Sequence, residues 1–173
     1  CDSCADGTTS LQGLTVCTAC DAGLFLSSSS LSTSDQKICR DCPKGWYSAS
    51  RGAKECTKCK LGELDNGVTK SCSSCDLGKY GSSEGECETC PAGYFQDTKG
   101  EPSCQECPVN TYSNEEGKSS NADCTACPEK TTTNEIKGRT EESACVCKDS
   151  FYHDPSSTTL ACVSCIKEQT NCK

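Results

Sequence analysis

The chain lacks most of what a globular enzyme is built from. It has no Met, one His and one Trp, and aromatics are 5% of its 173 residues. Leu, Ile, Val and Phe number twenty together, too few side chains to bury a large single core. Unbroken apolar stretches reach only about three residues, as in Leu24-Phe25-Leu26, so neither a transmembrane helix nor a signal peptide is present. No basic run occurs and the net charge is −8, which excludes the electrostatic footprint of a nucleic-acid binder and of a protein held on an anionic membrane. A primary translation product opens with Met, so a chain opening with Cys1 reads as a processed product or an excerpt of a longer one.

What the chain has instead is 21 Cys. That content places it in the disulfide-scaffold class and in an oxidising compartment, extracellular, secreted or at the cell surface. The cysteines fall in couples: Cys1/Cys4, Cys17/Cys20, Cys39/Cys42, Cys56/Cys59, Cys72/Cys75, Cys87/Cys90, Cys104/Cys107, Cys124/Cys127, Cys145/Cys147 and Cys162/Cys165, with Cys172 left over. Successive couples start 15 to 22 residues apart, a repeat with variable loops.

The repeat reaches beyond Cys. Three residues after the second Cys of a couple stand Gly7, Gly23, Gly45, Gly62, Gly78 and Gly93, then Asn110, Lys130 and Ser150. Five residues after it stand Phe25, Tyr47, Tyr80, Phe95, Tyr112 and Tyr152, six of the nine aromatics. Pro follows the Cys at Pro43, Pro91, Pro108 and Pro128, and a second Gly recurs in mid-loop at Gly52, Gly67, Gly85, Gly100, Gly117 and Gly138. Pro fixes φ and the first Gly turns the chain. The aromatic is expected to lie over a cystine, where sulfur–ring contact adds roughly 0.3–1.5 kcal/mol. The second Gly returns the chain as a short hairpin. No stretch has helical periodicity. The expected fold is small and disulfide-rich: an elongated tandem array of short β-hairpin and loop modules, with little helix and no large hydrophobic core.

Spacing alone does not fix the pairing. In a ladder, the second Cys of each couple bonds the first Cys of the next: Cys4–Cys17, Cys20–Cys39, Cys42–Cys56, Cys59–Cys72, Cys75–Cys87, Cys90–Cys104, Cys107–Cys124, Cys127–Cys145, Cys147–Cys162 and Cys165–Cys172. Closing a loop of about 15 residues is worth roughly 3 kcal/mol. The rival is pairing within each couple, which would give tight redox-type bonds and poor staples. The ladder leaves Cys1 as the candidate for an external or interchain bond. A head-to-tail contact through it would generate a filament.

Sharper chemistry has weak footing. Two C-x-x-C couples are a zinc signal, but ten couples at one rhythm with a single His point to disulfides. His153 beside Asp154 reads as an exposed loop pair. Glu115/Glu116 and Glu141/Glu142 sit in polar loops and give glycosidase chemistry no basis. No catalytic, cofactor-binding or metal residue is assigned, no cofactor is expected, and the chain reads as no enzyme. No Asn-x-Ser/Thr sequon occurs, so the only glycosylation candidates are O-linked, at Ser27, Ser28, Ser29, Ser30, Ser32, Thr33 and Ser34.

Cys42-Pro43-Lys44-Gly45-Trp46-Tyr47 and Cys90-Pro91-Ala92-Gly93-Tyr94-Phe95, each leading to another C-x-x-C, resemble the ephrin-receptor-like cysteine-rich repeat. The same start is similar to the first half of a tumour-necrosis-factor-receptor module. In that family one disulfide closes each loop and the modules stack into a rod, which supports the ladder. Cys145-Val146-Cys147 through Cys162 is similar to the C-terminal half of an EGF-like domain, where the last two Cys pair. It lacks the upstream signature of the calcium-binding variant. The abundance of C-x-x-C also resembles variant surface proteins of protozoan parasites.

Three regions follow: residues 1–38 as divergent N-terminal repeats, 39–127 as ephrin-receptor-like repeats, and 128–173 as a junction with an EGF-like C-terminal segment. Because Asn110, Lys130, Ser150 and Thr132 depart from the pattern, 124–147 reads as a distorted junction. The expected role is an extracellular structural repeat, a disulfide-stapled rod of a cell-surface coat, matrix or filament. The alternative is a ligand-binding receptor ectodomain. Expected partners are other protein chains, copies of itself in the filament version, with no nucleic acid and no membrane insertion.

Overall fold

The computed structural model describes residues 8–9, 17–28, 37–67, 70–83, 85–154, 156–157 and 161–165. Among them are nine two-stranded sheets, each joining consecutive strands. Two short 3-10 helices, Asn121–Asp123 and Glu142–Ala144, are the only helical turns among the described residues. The fold is a small, disulfide-rich tandem array of hairpins.

The hairpin that follows Cys90 shows how one unit is built. The Tyr94 N–H donates to the Pro91 carbonyl at 3.1 Å, and Gly93 takes φ +82°. Tyr94–Phe95 then pairs antiparallel with Gln105–Glu106, Tyr94 opposite Glu106. The Cys107 N–H donates back to the Gly93 carbonyl at 2.8 Å and closes the hairpin. The same plan forms Trp46–Tyr47 with Thr57–Lys58, Thr111–Tyr112 with Thr125–Ala126, and Thr131–Thr132 with Val146–Cys147. Longer versions pair Leu24–Ser28 with Lys37–Asp41 and Glu63–Asn66 with Ser71–Ser74.

The chain divides into two compact units. One comprises Cys1–Cys75, Gly81–Glu88 and Gly100–Pro102; the other comprises Asp76–Tyr80, Thr89–Lys99 and Ser103–Lys173. The first contains the disulfides Cys20–Cys39, Cys42–Cys56, Cys59–Cys72 and Cys75–Cys87. The second contains Cys90–Cys104, Cys107–Cys124, Cys127–Cys145 and Cys147–Cys162. Cys17 and Cys165 are also disulfide-bonded; Cys1, Cys4 and Cys172 lie outside the described residues.

In the second unit, successive hairpins are joined by a repeated three-bond clasp. The Gly117 N–H donates to the Cys90 carbonyl at 2.8 Å, the Gly93 N–H to Ser113 at 2.8 Å, and the Gln96 N–H to Lys118 at 3.0 Å. One repeat on, the Gly138 N–H donates to Cys107 and the Ser113 N–H to Arg139, both at 2.9 Å. The third bond there goes from the Asn110 N–H to the Thr133 hydroxyl oxygen at 2.9 Å. In the first unit the same bonds join Gly52 to Cys20, Gly23 to Ser48 and Leu26 to Ala53, at 2.7–3.0 Å. Gly100 to Cys75 and Gly81 to Glu101 repeat two of the three, also within that unit. Each such bond contributes about 0.5–1.5 kcal/mol net.

The clasp explains the glycines more fully than turn formation does. A Cβ on Gly93 would stand 2.5 Å from the Gly138 carbonyl oxygen, and one on Gly78 would stand 2.3 Å from that of Gly117. The first Gly of these hairpins thus meets, main chain to main chain, the mid-loop Gly two hairpins later, as Gly62 also meets Gly100, whereas Gly23 meets the Lys70 side chain. Asn110, Lys130 and Ser150 hold the same left-handed conformation, with φ of 64°, 65° and 72°. The hairpin closed by Cys147–Cys162, two after that of Asn110, contains no Gly, so Asn110 has no mid-loop Gly there to admit. Within residues 124–147, where the sequence pattern departs, the chain keeps the hairpin, the disulfide and the left-handed turn.

Half-cystines make up most of the core: Cys20, Cys75, Cys90, Cys107 and Cys145 are almost wholly buried. Phe95 is buried against Cys107 and Cys124, the cystine of the following hairpin. The other aromatics at its register are half-buried. A further core position lies one residue beyond the aromatic, where Ser48, Gln96, Ser113 and Thr133 are buried. Burying polar groups is tolerable only when they are hydrogen-bonded. Here Gln96 donates to the Ser103 carbonyl at 2.5 Å and accepts from the Thr98 N–H at 3.0 Å. Ser48 and Ser113 donate to the carbonyls of Ser50 and Glu115.

Candidate binding site

The described cysteines are all disulfide-bonded. No group of three or more His, Cys, Asp and Glu is placed to hold a metal among the described residues, and no helix among them is long and apolar enough to cross a membrane. His153 is an exposed strand end opposite Cys162. Asp154 is held below the ordinary aspartate range chiefly by the Ser156 hydroxyl, then by the Ser156 N–H, so its lone pairs serve a local turn. Glu115 pairs with Lys118 at 2.7 Å, and Glu141 accepts from the Ser143 hydroxyl at 3.1 Å. These carboxylates are solvated. Of the Ser-rich tract, Ser27 lies half-buried in a strand opposite Ile38 and Ser28 ends that strand. Ser29, Ser30, Ser32, Thr33 and Ser34 lie outside the described residues.

A different feature stands out within the first unit, where the clasp changes. The hairpin closed by Cys42–Cys56 does not use its Gly45 N–H on a main-chain carbonyl of the next hairpin. It donates to the Asp65 carboxylate at 3.1 Å instead. The mid-loop Gly67 of that next hairpin has open space where a Cβ would point, with nothing within 4 Å, and makes no clasp bond among the described residues.

At this interruption stands Trp46, the only Trp of the chain. Pro43 and Gly45 build the turn that leads to it, and the Trp46 N–H donates to the Pro43 carbonyl at 3.0 Å. It is 37% exposed. Its cross-strand partner Lys58 holds an ammonium 5.9 Å from the ring centroid, a cation–π arrangement. Two hollows flank the ring. One, of about 160 Å³, is lined by Asp41, Asp65, Asn66, Lys70, Trp46 and Tyr47 among others. The second, of about 170 Å³, is lined by Lys44, Lys58, Lys60, Leu61, Trp46 and Ser82 among others.

Each hollow is well below the roughly 300–1,000 Å³ of small-molecule pockets, and fits one or two side chains. An exposed Trp ridge between side-chain-sized hollows is the anatomy of a protein-interface anchor. Sequence reading had Trp46 only as part of a motif. The usable signal was its register: one residue before the inward aromatic of the strand, it faces the other side. A large ring there, in a chain so poor in aromatics, has no core to fill.

The model of the tyrosine-protein kinase ephrin type A/B receptor-like family matches residues 29–71, 78–124 and 103–145, more than half of the chain. No individual curated protein matches it. Residues 39–127, which carry the C-P-x-G motifs, lie largely inside the matched segments, and the third match runs on through the Cys127–Cys145 hairpin. By these matches the chain belongs to the ephrin-receptor-like family of cysteine-rich repeats.

Proposed function

We propose that the chain is an extracellular, non-catalytic recognition segment of a receptor-type protein, and that it meets a protein ligand at Trp46. The observation that carries this reading is the coincidence of the changed clasp with the exposed Trp46 and its two flanking hollows in one unit. A purely structural repeat has no reason to leave its only Trp between hollows. A photo-crosslinker at the exposed Ser83, which also lines the second hollow, tests it on intact cells. The expected result is a protein adduct that excess unlabelled chain competes away and the Trp46→Ala chain does not. Equal competition by both chains contradicts the reading.

A structural role, as a subunit of a coat or fibre, is supported by the regular clasp, because a repeated neighbour contact is how arrays propagate. The two roles separate in sedimentation. A subunit grows in mass with concentration, whereas a recognition segment stays at one mass until its ligand is added.

A further inference from the structure

The two hollows beside Trp46 differ in charge. The first has Asp41 and Asp65 with Lys70 in its lining. The second has Lys44, Lys58 and Lys60, and no carboxylate among its described lining residues. Three ammonium groups around one hollow are unexpected in a chain of net charge −8. They are not equally committed. Lys44 pairs with Glu86, and Lys58 lies over the Trp46 ring. The exposed Lys60 ammonium has no ion-pair partner among the described residues; only its main-chain N–H is used, donating to Glu63 at 3.2 Å. Leu61, 63% exposed, forms an apolar part of the same lining.

We infer that this hollow receives the carboxylate side chain of an acidic segment on a protein partner, with Lys60 as its ion-pair partner and Trp46 and Leu61 covering the aliphatic stem. The inference rests on reading Trp46 as the recognition residue, and adds the chemistry of what binds there. A carboxylate entering beside an ammonium and an aromatic wall makes a charge-assisted contact that water screens less than an open surface pair. The occupant is a short acidic segment rather than a long polyanion for two reasons. The hollow has room for a side chain, not for a chain of sulfated sugars. A polyanion spreads over many Debye lengths and meets the repulsion of an acidic protein, while one or two carboxylates respond to the charges within about 8 Å.

Because Trp46 is the only Trp, its emission reports this site in the intact, oxidised chain. The probe is an acetylated, amidated Gly-Glu-Leu-Glu-Gly peptide, compared with its Gly-Gln-Leu-Gln-Gly counterpart. The Glu peptide is expected to shift Trp46 emission saturably and to bind about tenfold tighter than the Gln peptide. Lys60→Gln should weaken it by a similar factor and Lys60→Arg should retain it, while both keep native disulfides. Raising salt from about 0.05 M to about 0.5 M should also weaken it. Equal affinity of the two peptides, no emission shift with either, or tighter binding of a heparin-derived tetrasaccharide overturns the inference. Those failures leave the Ser83 crosslinking result standing, so an error in ligand chemistry is distinguishable from an error about Trp46.

Discussion

Two stretches of this chain follow the same cysteine rhythm and reach different surfaces. From Cys90 to Cys145, three hairpins are joined by successive clasps: Gly117 to Cys90, Gly93 to Ser113 and Gln96 to Lys118, then Gly138 to Cys107, Ser113 to Arg139 and Asn110 to Thr133. From Cys42 to Cys72, the Gly45 N–H turns to a side-chain carboxylate, and Gly67 stands in open space. The first stretch buries Phe95 against a cystine; the second exposes Trp46. Disulfides and hairpins are thus common to both, and the two stretches differ in the clasp and in the exposure of an aromatic side chain.

The comparison can be broken most forcefully at the shared element. Replacing Cys107 and Cys124 together by Ser removes a staple and the wall on which Phe95 rests. The expected loss is about 2–5 kcal/mol, read as a fall in the thermal midpoint under non-reducing conditions.

Glycine substitution then sharpens the contrast. Gly93→Ala puts a Cβ 2.5 Å from the Gly138 carbonyl oxygen at φ +82°, which should cost about 2–4 kcal/mol. Gly67→Ala enters open space and should change stability by less than about 0.5 kcal/mol. Equal effects in denaturant titrations would remove the distinction.

Side chains that serve the clasp come next. Thr133→Val deprives the Asn110 N–H of its acceptor at a residue 1% exposed, for an expected loss of about 1–3 kcal/mol. Asp65→Ala removes the partner of the Gly45 N–H at a half-buried position, and water replaces part of that bond. The thermal midpoint should fall less than for Thr133→Val.

The smallest effect is electrostatic. Within the second unit Lys99 bonds Asp76 at 2.7 Å and, by that hydrogen bond and its charge, holds the carboxyl below its ordinary 3.8. A depressed folded-state value means the contribution is present above the unfolded-state value and is lost as pH falls through the folded one. Lys118 runs the other way. Glu115 raises it, so its contribution is present below the ordinary lysine value and lost as pH rises through the folded one. Both pairs are exposed and salt weakens them. NMR titration of the Asp76 carboxyl in Lys99→Ala should show its midpoint return toward 3.8.

Much of the hairpin plan was legible because it is local. Cys, Pro, the first Gly and the aromatic act within a few residues of one another, and their spacing is written in the chain. The clasp was not legible, because it depends on which main-chain groups of different hairpins meet, and every residue but Pro carries the same main-chain groups. The glycines show the gap. As turn residues they seemed explained, yet Lys130 and Ser150 make the same turn without Gly. The additional requirement on Gly93 is steric and comes from Gly138, 45 residues away in the sequence. Gln96 and Thr133 were missed because polarity argues for the surface, whereas nearby groups satisfy them inside. Trp46 was missed because only its place in the motif was read, and not the strand register that turns it away from the inward Tyr47.

Amide hydrogen exchange of the native, oxidised chain, resolved at individual glycines, tests the uneven clasp most directly. The account predicts strong protection at Gly52, Gly117 and Gly138, whose N–H groups close clasps, and rapid exchange at Gly67. Equal protection of Gly67 and Gly117 would contradict it.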